Sequence, residues 1–107
     1  MFTRHVIMEL KPSTATTEFT DIIDNKILPL LRKQTGFRDL ITFVATDRSE
    51  AIAISIWDNK EAAEAYNLAG YPEVLKTLTN LVEGNPRVGT AELATSTLHK
   101  LAAAKTA

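Results

Sequence analysis

From Phe2 to Leu10 the chain alternates, with Phe2, Arg4, Val6, Met8 and Leu10 on one side and Thr3, His5, Ile7 and Glu9 on the other. A period of two marks a strand, and Pro12 ends it. The spacing then changes to three and four: Phe19, Ile22, Ile23, Ile27, Leu30 and Leu31 fall on one helical stripe, with Ser13 and Thr14 placed to cap its start. Pro29 lies inside that stripe. It removes a backbone donor and crowds the preceding turn, at a cost of about 3 kcal/mol unless the helix bends, so a kink or an early end is expected there. Gly36 supplies the stop, residues 37–46 read as a second strand, and Asp47, Arg48, Ser49 and Glu50 form a polar turn into a third strand over 51–57. So short a connection suits an antiparallel hairpin.

The second half repeats the helix-then-strand order. Asp58 followed by Glu61 is a variant of the capping box ahead of an Ala-rich helix over 60–68, which Gly70 interrupts. Pro72 suits the first turn of another helical segment, with Val74, Leu75, Leu78, Leu81 and Val82 on one face until Gly84. After Gly84, Asn85 and Pro86, residues 87–98 read as a fourth strand whose tail reaches toward a neighbouring subunit. Residues 1–101 form one domain, and 102–107 are small and polar enough to fray.

Strand, helix, strand, strand, helix, strand is the ferredoxin-like order: an α+β fold in which both helices cover one face of a four-stranded antiparallel sheet. The pattern assigns Val6, Met8 and Leu10 with Ile52, Ile54 and Ile56 to the covered face. It leaves His5, Ile7, Ala51, Ala53, Ser55 and Trp57, together with Arg38, Leu40, Thr42 and Val44, on the open one. Such a mixed face suits a partner sheet enclosing a pocket. For a chain this short, an identical sheet also supplies core area that one domain lacks, so a homodimer is expected.

Composition narrows the classes. Twelve Lys and Arg stand against 13 Asp and Glu, interspersed, for a formal net charge of −1. That leaves no basic footprint for nucleic acid or anionic lipid. There are no cysteines, so disulfides and Cys-based metal or redox chemistry are excluded. The first residues carry Arg4, His5 and Glu9 inside their apolar stretch and resemble neither a signal peptide nor a membrane span, so a cytoplasmic location is expected. The two histidines, His5 and His99, have no metal-ligand spacing, and dinucleotide, P-loop and nucleophile-elbow motifs are missing. No metal and no cofactor are predicted.

The run Ile54-Ser55-Ile56-Trp57-Asp58-Asn59-Lys60-Glu61-Ala62-Ala63, with Gly36-Phe37 closing the first helical region, resembles the antibiotic biosynthesis monooxygenases, a group of dimeric α/β barrels. The resemblance spans roughly residues 2–99. It implies a dimeric barrel with an internal pocket. The group includes cofactor-independent oxygenases of aromatic polyketides, haem-degrading enzymes and lactone isomerases, so the fold alone does not choose a function. In the quinone-forming oxygenases an Asn precedes the strand-three Trp; here Trp57 matches the Trp, and Ala53 stands at the Asn position. Where the haem-degrading branch carries a second Trp and a His ligand, this chain has Tyr66 and Lys76.

Each candidate residue has a plainer reading beside the functional one. His5 is either a general base or a structural histidine. Trp57 either stacks on a flat aromatic ligand or anchors the core. Tyr66 and Tyr71, flanking the break at Gly70, either cover the pocket and donate phenol hydroxyls or form an interface rim, and Arg38 is placed to neutralise an enolate or carboxylate. Arg87 falls to solvent and His99 to the dimer contact. With His5 and Trp57 as catalytic residues and Arg38, Tyr66 and Tyr71 binding substrate, the expected function is monooxygenation of a small aromatic or polyketide-like molecule. The rivals are a non-catalytic dimeric ligand-binding module, which Ala53 favours, and an isomerase or cyclase using His5 with Glu9 or Glu92.

Overall fold

A computed structural model of the chain describes residues 1–47 and 49–97. The turn residue Arg48, His99 and the 102–107 tail lie outside the described residues. Four strands, β1 (Phe2–Leu10), β2 (Phe37–Val44), β3 (Glu50–Trp57) and β4 (Val82–Glu92), form one antiparallel sheet in the order β2-β3-β1-β4. Helical segments α1 (Thr16–Ile22), α2 (Leu28–Arg32), α3 (Lys60–Ala69) and α4 (Tyr71–Leu78) complete the β-α-β-β-α-β order of a ferredoxin-like fold. Among the described residues no helix is long and apolar enough to cross a membrane.

Pro29 does not end the helix, which continues to Arg32; it is accommodated by a specific device. Between α1 and α2 the helix widens into a π-helical turn, Ile23–Ile27, closed by the Leu28 N–H donating to the Ile23 carbonyl. Pro29 then sits in the first turn of α2, where its missing donor is no loss. The widened turn keeps both Ile23 and Ile27 buried on the sheet side.

Two caps differ from expectation. Asn59, not Asp58, caps α3: its Oδ1 accepts the Ala62 N–H at 2.9 Å. The Asp58 carboxylate instead pairs with Arg38. Thr14 does not cap α1; its hydroxyl donates to the Leu81 carbonyl at 2.9 Å and pins the loop after β1 to the turn before β4. That turn is also where the fourth strand departs from the sequence pattern. Leu81 and Val82 are buried as expected, but α4 ends at Leu78 and β4 starts at Val82, with residues 84–86 absorbed where the β1–β4 register shifts between Ile7 and Glu9. The Gly84-Asn85-Pro86 run thus makes an irregularity within a strand.

Register corrects the face assignment. In β1–β3 pairing Arg4 lies opposite Ser55, Val6 opposite Ala53 and Met8 opposite Ala51. Even positions of β1 therefore share a face with odd positions of β3, because an antiparallel register, and not residue parity, decides which side chains meet. The helices cover Arg4, Val6, Met8, Ala51, Ala53, Ser55 and Trp57, joined by Leu40 and Val44 of β2 after a bulge between Phe37 and Asp39; Thr42, on the same side, is exposed. The other face carries His5, Ile7, Ile41, Phe43, Ile52 and Ile54, and Phe43 is 53% exposed. It is more apolar than the sequence pattern implied. Trp57, Phe19, Met8 and Leu31 are the largest side chains fully enclosed between sheet and helices.

Gly36 joins the layers. Its φ of +82° is a left-handed conformation, and a Cβ there would lie 2.6 Å from the Ala62 Cβ on α3. Gly84 also has positive φ, at +63°, but faces open space. Gly36→Ala is expected to cost about 2–4 kcal/mol, from left-handed strain plus overpacking, and Gly84→Ala only about 1–2 kcal/mol. Urea denaturation of both variants checks this; equal losses would show that the contact with Ala62 carries no penalty.

Candidate functional site

The covered face of the sheet places one charged residue among apolar ones. Arg4, between Phe2 and Val6 on the inward side of β1, retains only 3% of its surface exposed. Its guanidinium lies 4.6 Å from the ring centre of Tyr71 and 5.3 Å from that of Tyr66. Nη1 donates to Asn67 Oδ1 at 2.7 Å. Nε and Nη2 are buried and have no partner among the described residues, and neither has the Tyr71 hydroxyl. None of the ion pairs among the described residues includes Arg4. A buried cation without an opposite charge is expensive, and the two tyrosine faces offset the cost only in part.

Arg4, Tyr66 and Tyr71 border a cavity of ≈ 30 Å³ between sheet and helices. Val6, Met8, Leu40 and Ala53 form its sheet wall, Ile23 and Ile27 of the π-helical turn one side, and Val74 and Leu78 of α4 the other. The wall is apolar apart from Arg4, Ser55 and the tyrosine hydroxyls. No Asp, Glu or His lines it.

Trp57 stands behind this wall. Its ring is fully buried, stacked on Tyr66 at 4.8 Å and met edge-on by Phe37 at 5.5 Å. Its indole N–H donates to Ser55 Oγ at 2.9 Å. Because that oxygen accepts from Trp57, the Ser55 hydroxyl keeps its own hydrogen to donate. Gly70, at the α3–α4 joint, lets Tyr66 pack this closely: a Cβ at residue 70 would lie 2.8 Å from the Tyr66 ring.

Protonation follows from burial. Burial lowers the pKa of Arg4, with the two tyrosines opposing, yet a guanidinium stays charged at any physiological pH. Burial raises the Tyr66 phenol well above its usual value, Arg4 opposing and Tyr71 adding to the rise; Tyr71 is raised by the same burial. Both tyrosines are therefore neutral donors near pH 7, and neither is a base.

Of the residues singled out in the sequence, the structure brings Tyr66 and Tyr71 to the cavity and Trp57 directly behind it. His5 lies on the opposite face of the sheet, its Nε2 2.9 Å from Thr3 Oγ1, which itself donates to the Ala91 carbonyl at 3.0 Å. Thr3 has one hydrogen to give, so His5 Nε2 is the donor to it. Arg38 lies half exposed at the bulge of β2, paired with Asp58 and away from the cavity. Arg4, Ser55 and Asn67 were not singled out. A signal for Arg4 was present: the period-two pattern puts it on the side of Phe2, Val6, Met8 and Leu10.

No protein-family model and no curated protein sequence matches the chain. Solved structures do match, and they define the class of fold as that of the antibiotic biosynthesis monooxygenases. A monooxygenase of Streptomyces coelicolor in complex with nanaomycin D superposes with a TM-score of 0.75 at 16% identity, over 91% of this chain and 90% of that one. SnoaB, a cofactor-independent oxygenase from Streptomyces nogalater, matches at TM-score 0.72 and 15% identity over 92% and 97%. A proposed antibiotic biosynthesis monooxygenase from Bordetella bronchiseptica matches at 0.70 and 10% over 88% and 97%. The chain thus shares the fold of these proteins.

Two outcomes test this electrostatic picture. Arg4→Met, which removes the unpaired charge and keeps the length, is expected to raise the stability of the free protein by about 1–2 kcal/mol in urea; a loss of stability would mean the guanidinium is satisfied by its surroundings. The neutral Tyr66 phenol is favoured by folding. That contribution is fully present below the unfolded tyrosine pKa of about 10 and is lost as pH rises from there through the folded value. Between pH 10 and 11 native stability should therefore fall more steeply than that of Tyr66→Phe, by up to about 1.4 kcal/mol per pH unit. Parallel slopes would contradict the assignment.

Proposed function

We propose that the chain is a cofactor-independent monooxygenase acting on a small phenol, bound between sheet and helices beside Arg4. The observation that carries this reading is an unpaired buried cation inside an apolar, tyrosine-walled cavity. Such a site favours a flat, apolar ligand that bears or develops one negative charge. The guanidinium stabilises the phenolate, Tyr66 and Tyr71 contact the ring, and Ser55, held by Trp57, donates to a ligand oxygen. In this arrangement Arg4, one strand across from Ala53, supplies the polarising group that the quinone-forming oxygenases draw from Asn. His5, across the sheet, is too far round to take the substrate proton; water takes it.

The reaction balances without a further reductant. A phenol with hydrogen at the para carbon plus O₂ gives a quinone and water: the para C–H, the phenol O–H and the O–O bonds break, the phenol C–O becomes C=O, one oxygen atom forms a second C=O at the para carbon and the other leaves as water, and the substrate gives four electrons to oxygen. A cavity that holds benzene measures about 150 Å³, well above the ≈ 30 Å³ here. A ring therefore enters when Tyr71 and the first turn of α4 swing outward about the Gly70 joint. The proton-transfer reading, an isomerase or cyclase, is disfavoured because no side-chain base lines the cavity. Ala53 favours one other reading, a binding module without turnover.

The apolar face turned away from the helices, with Phe43 exposed and Ile7, Ile41, Ile52 and Ile54 half-buried, carries the second part of the proposal: two copies pack sheet to sheet as a two-fold homodimer.

Oxygen uptake with 1-naphthol is the test of activity: one O₂ consumed per quinone formed is expected, with kcat/KM lowered about 30–100-fold in Arg4→Lys, which keeps the charge but not the planar donor pair. Binding without uptake would establish the module instead. Sedimentation should give a dimer for the native chain and a monomer for Ile52→Asp; a monomeric native chain would remove the assembly.

A further inference from the structure

The two free nitrogens of Arg4 are not an arbitrary pair. In a planar guanidinium the Nε–H lies on the same side as Nη2, so the two donate in parallel along one edge, while Nη1 lies on the far side of Nη2. Here Nη1 is committed to Asn67 on α3, and both donors of the Nε/Nη2 edge are left without a partner among the described residues. A single phenolate oxygen satisfies one of them. Two coplanar oxygens a carboxylate's width apart satisfy both, in the bidentate geometry that Arg favours. The third orphaned polar atom is the hydroxyl of Tyr71, a residue of the same cavity lining, and it has a hydrogen to donate. No Asp or Glu competes from the cavity wall.

We infer that the ligand of this cavity is an aromatic carboxylate, its carboxyl group seated two-pronged on Arg4 Nε and Nη2 and its ring between Tyr71 and the aliphatic wall. This rests on the reading of the cavity as an aromatic site and narrows the substrate class to hydroxylated aromatic acids, in which the carboxylate takes the guanidinium edge in place of the phenolate and the phenol oxygen is left to the Ser55 hydroxyl. Asn67 is a positioning residue. It sits on the exposed side of α3 and bonds the outer nitrogen of Arg4, which restrains the plane of the guanidinium.

Calorimetric titration of the full chain with benzoate, benzamide, phenol and acetate separates the parts of this inference. Benzoate is expected to bind at least 30-fold more tightly than benzamide, its neutral isostere, and more tightly than phenol or acetate. Asn67→Asp places a carboxylate against Nη1; it should weaken benzoate at least tenfold while raising the melting temperature of the free protein, a readout that loss of folding would move the other way. Arg4→Lys should weaken benzoate by a similar or larger factor and leave benzamide unchanged. Equal binding of benzoate and benzamide, or binding of phenol alone, would overturn the carboxylate assignment while leaving the aromatic pocket standing. Acetate equal to benzoate would uphold the carboxylate seat and remove the aromatic reading. No binding of any of the four would overturn both, leaving a site filled by water.

Discussion

A single guanidinium, enclosed between a sheet and its helices with no carboxylate to neutralise it, sets the terms for the rest of this molecule. In a low-dielectric interior an unpaired charge is among the least favourable groups a fold can hold. Arg4 is tolerated because two tyrosine faces lie within 4.6 and 5.3 Å of it and Asn67 takes one of its nitrogens. The remainder of the cost is carried by a core that is otherwise well filled, with Trp57, Phe19, Met8 and Leu31 fully enclosed. Strain of this kind is characteristic of sites whose complement arrives from outside.

The surrounding elements hold the guanidinium in one place. Trp57 stacks on Tyr66, Tyr66 faces Arg4, and Gly70 permits the close approach of the helix joint to the Tyr66 ring. On the far wall Pro29 is accommodated by the π-helical turn, which keeps Ile23 and Ile27 against the cavity. The same pattern serves a chemical end: two neutral tyrosines and a hydroxyl freed by Trp57 surround a fixed positive charge, while every strong base is kept outside. Such a site stabilises an anion and does not itself remove a proton.

Much of the architecture was legible in the chain. The alternation of β1, the stripe from Phe19 to Leu31, the break at Pro29 and the Gly70–Pro72 interruption each appear where the pattern puts them. The cavity was legible only in part. Tyr66 and Tyr71 stand out by their place beside Gly70, but Arg38, an equally good cation by composition, pairs with Asp58 at the surface. Apolar counts taken strand by strand do not reveal which face of the sheet is covered. Ile52 and Ile54 look like core, whereas the small Ala53 and Ser55 are what leave space for Arg4, and only the register with β1 reveals this. In the fourth strand, Gly84 and Pro86 resemble a turn and in fact lie in an irregular stretch inside the strand, without partners on β1, where the register shifts. Long-range pairing, which no local pattern encodes, made both differences.

The most direct measurement of the central claim is the ¹⁵N spectrum of the Arg4 side chain, assigned by its loss in Arg4→Lys. A buried guanidinium that awaits an anion predicts a slowly exchanging Nε–H resonance in the free protein that moves downfield on addition of benzoate and stays in place with benzamide. A rapidly exchanging resonance, or one indifferent to both compounds, would show that Arg4 is an ordinary solvated arginine and that the cavity is not an anion site.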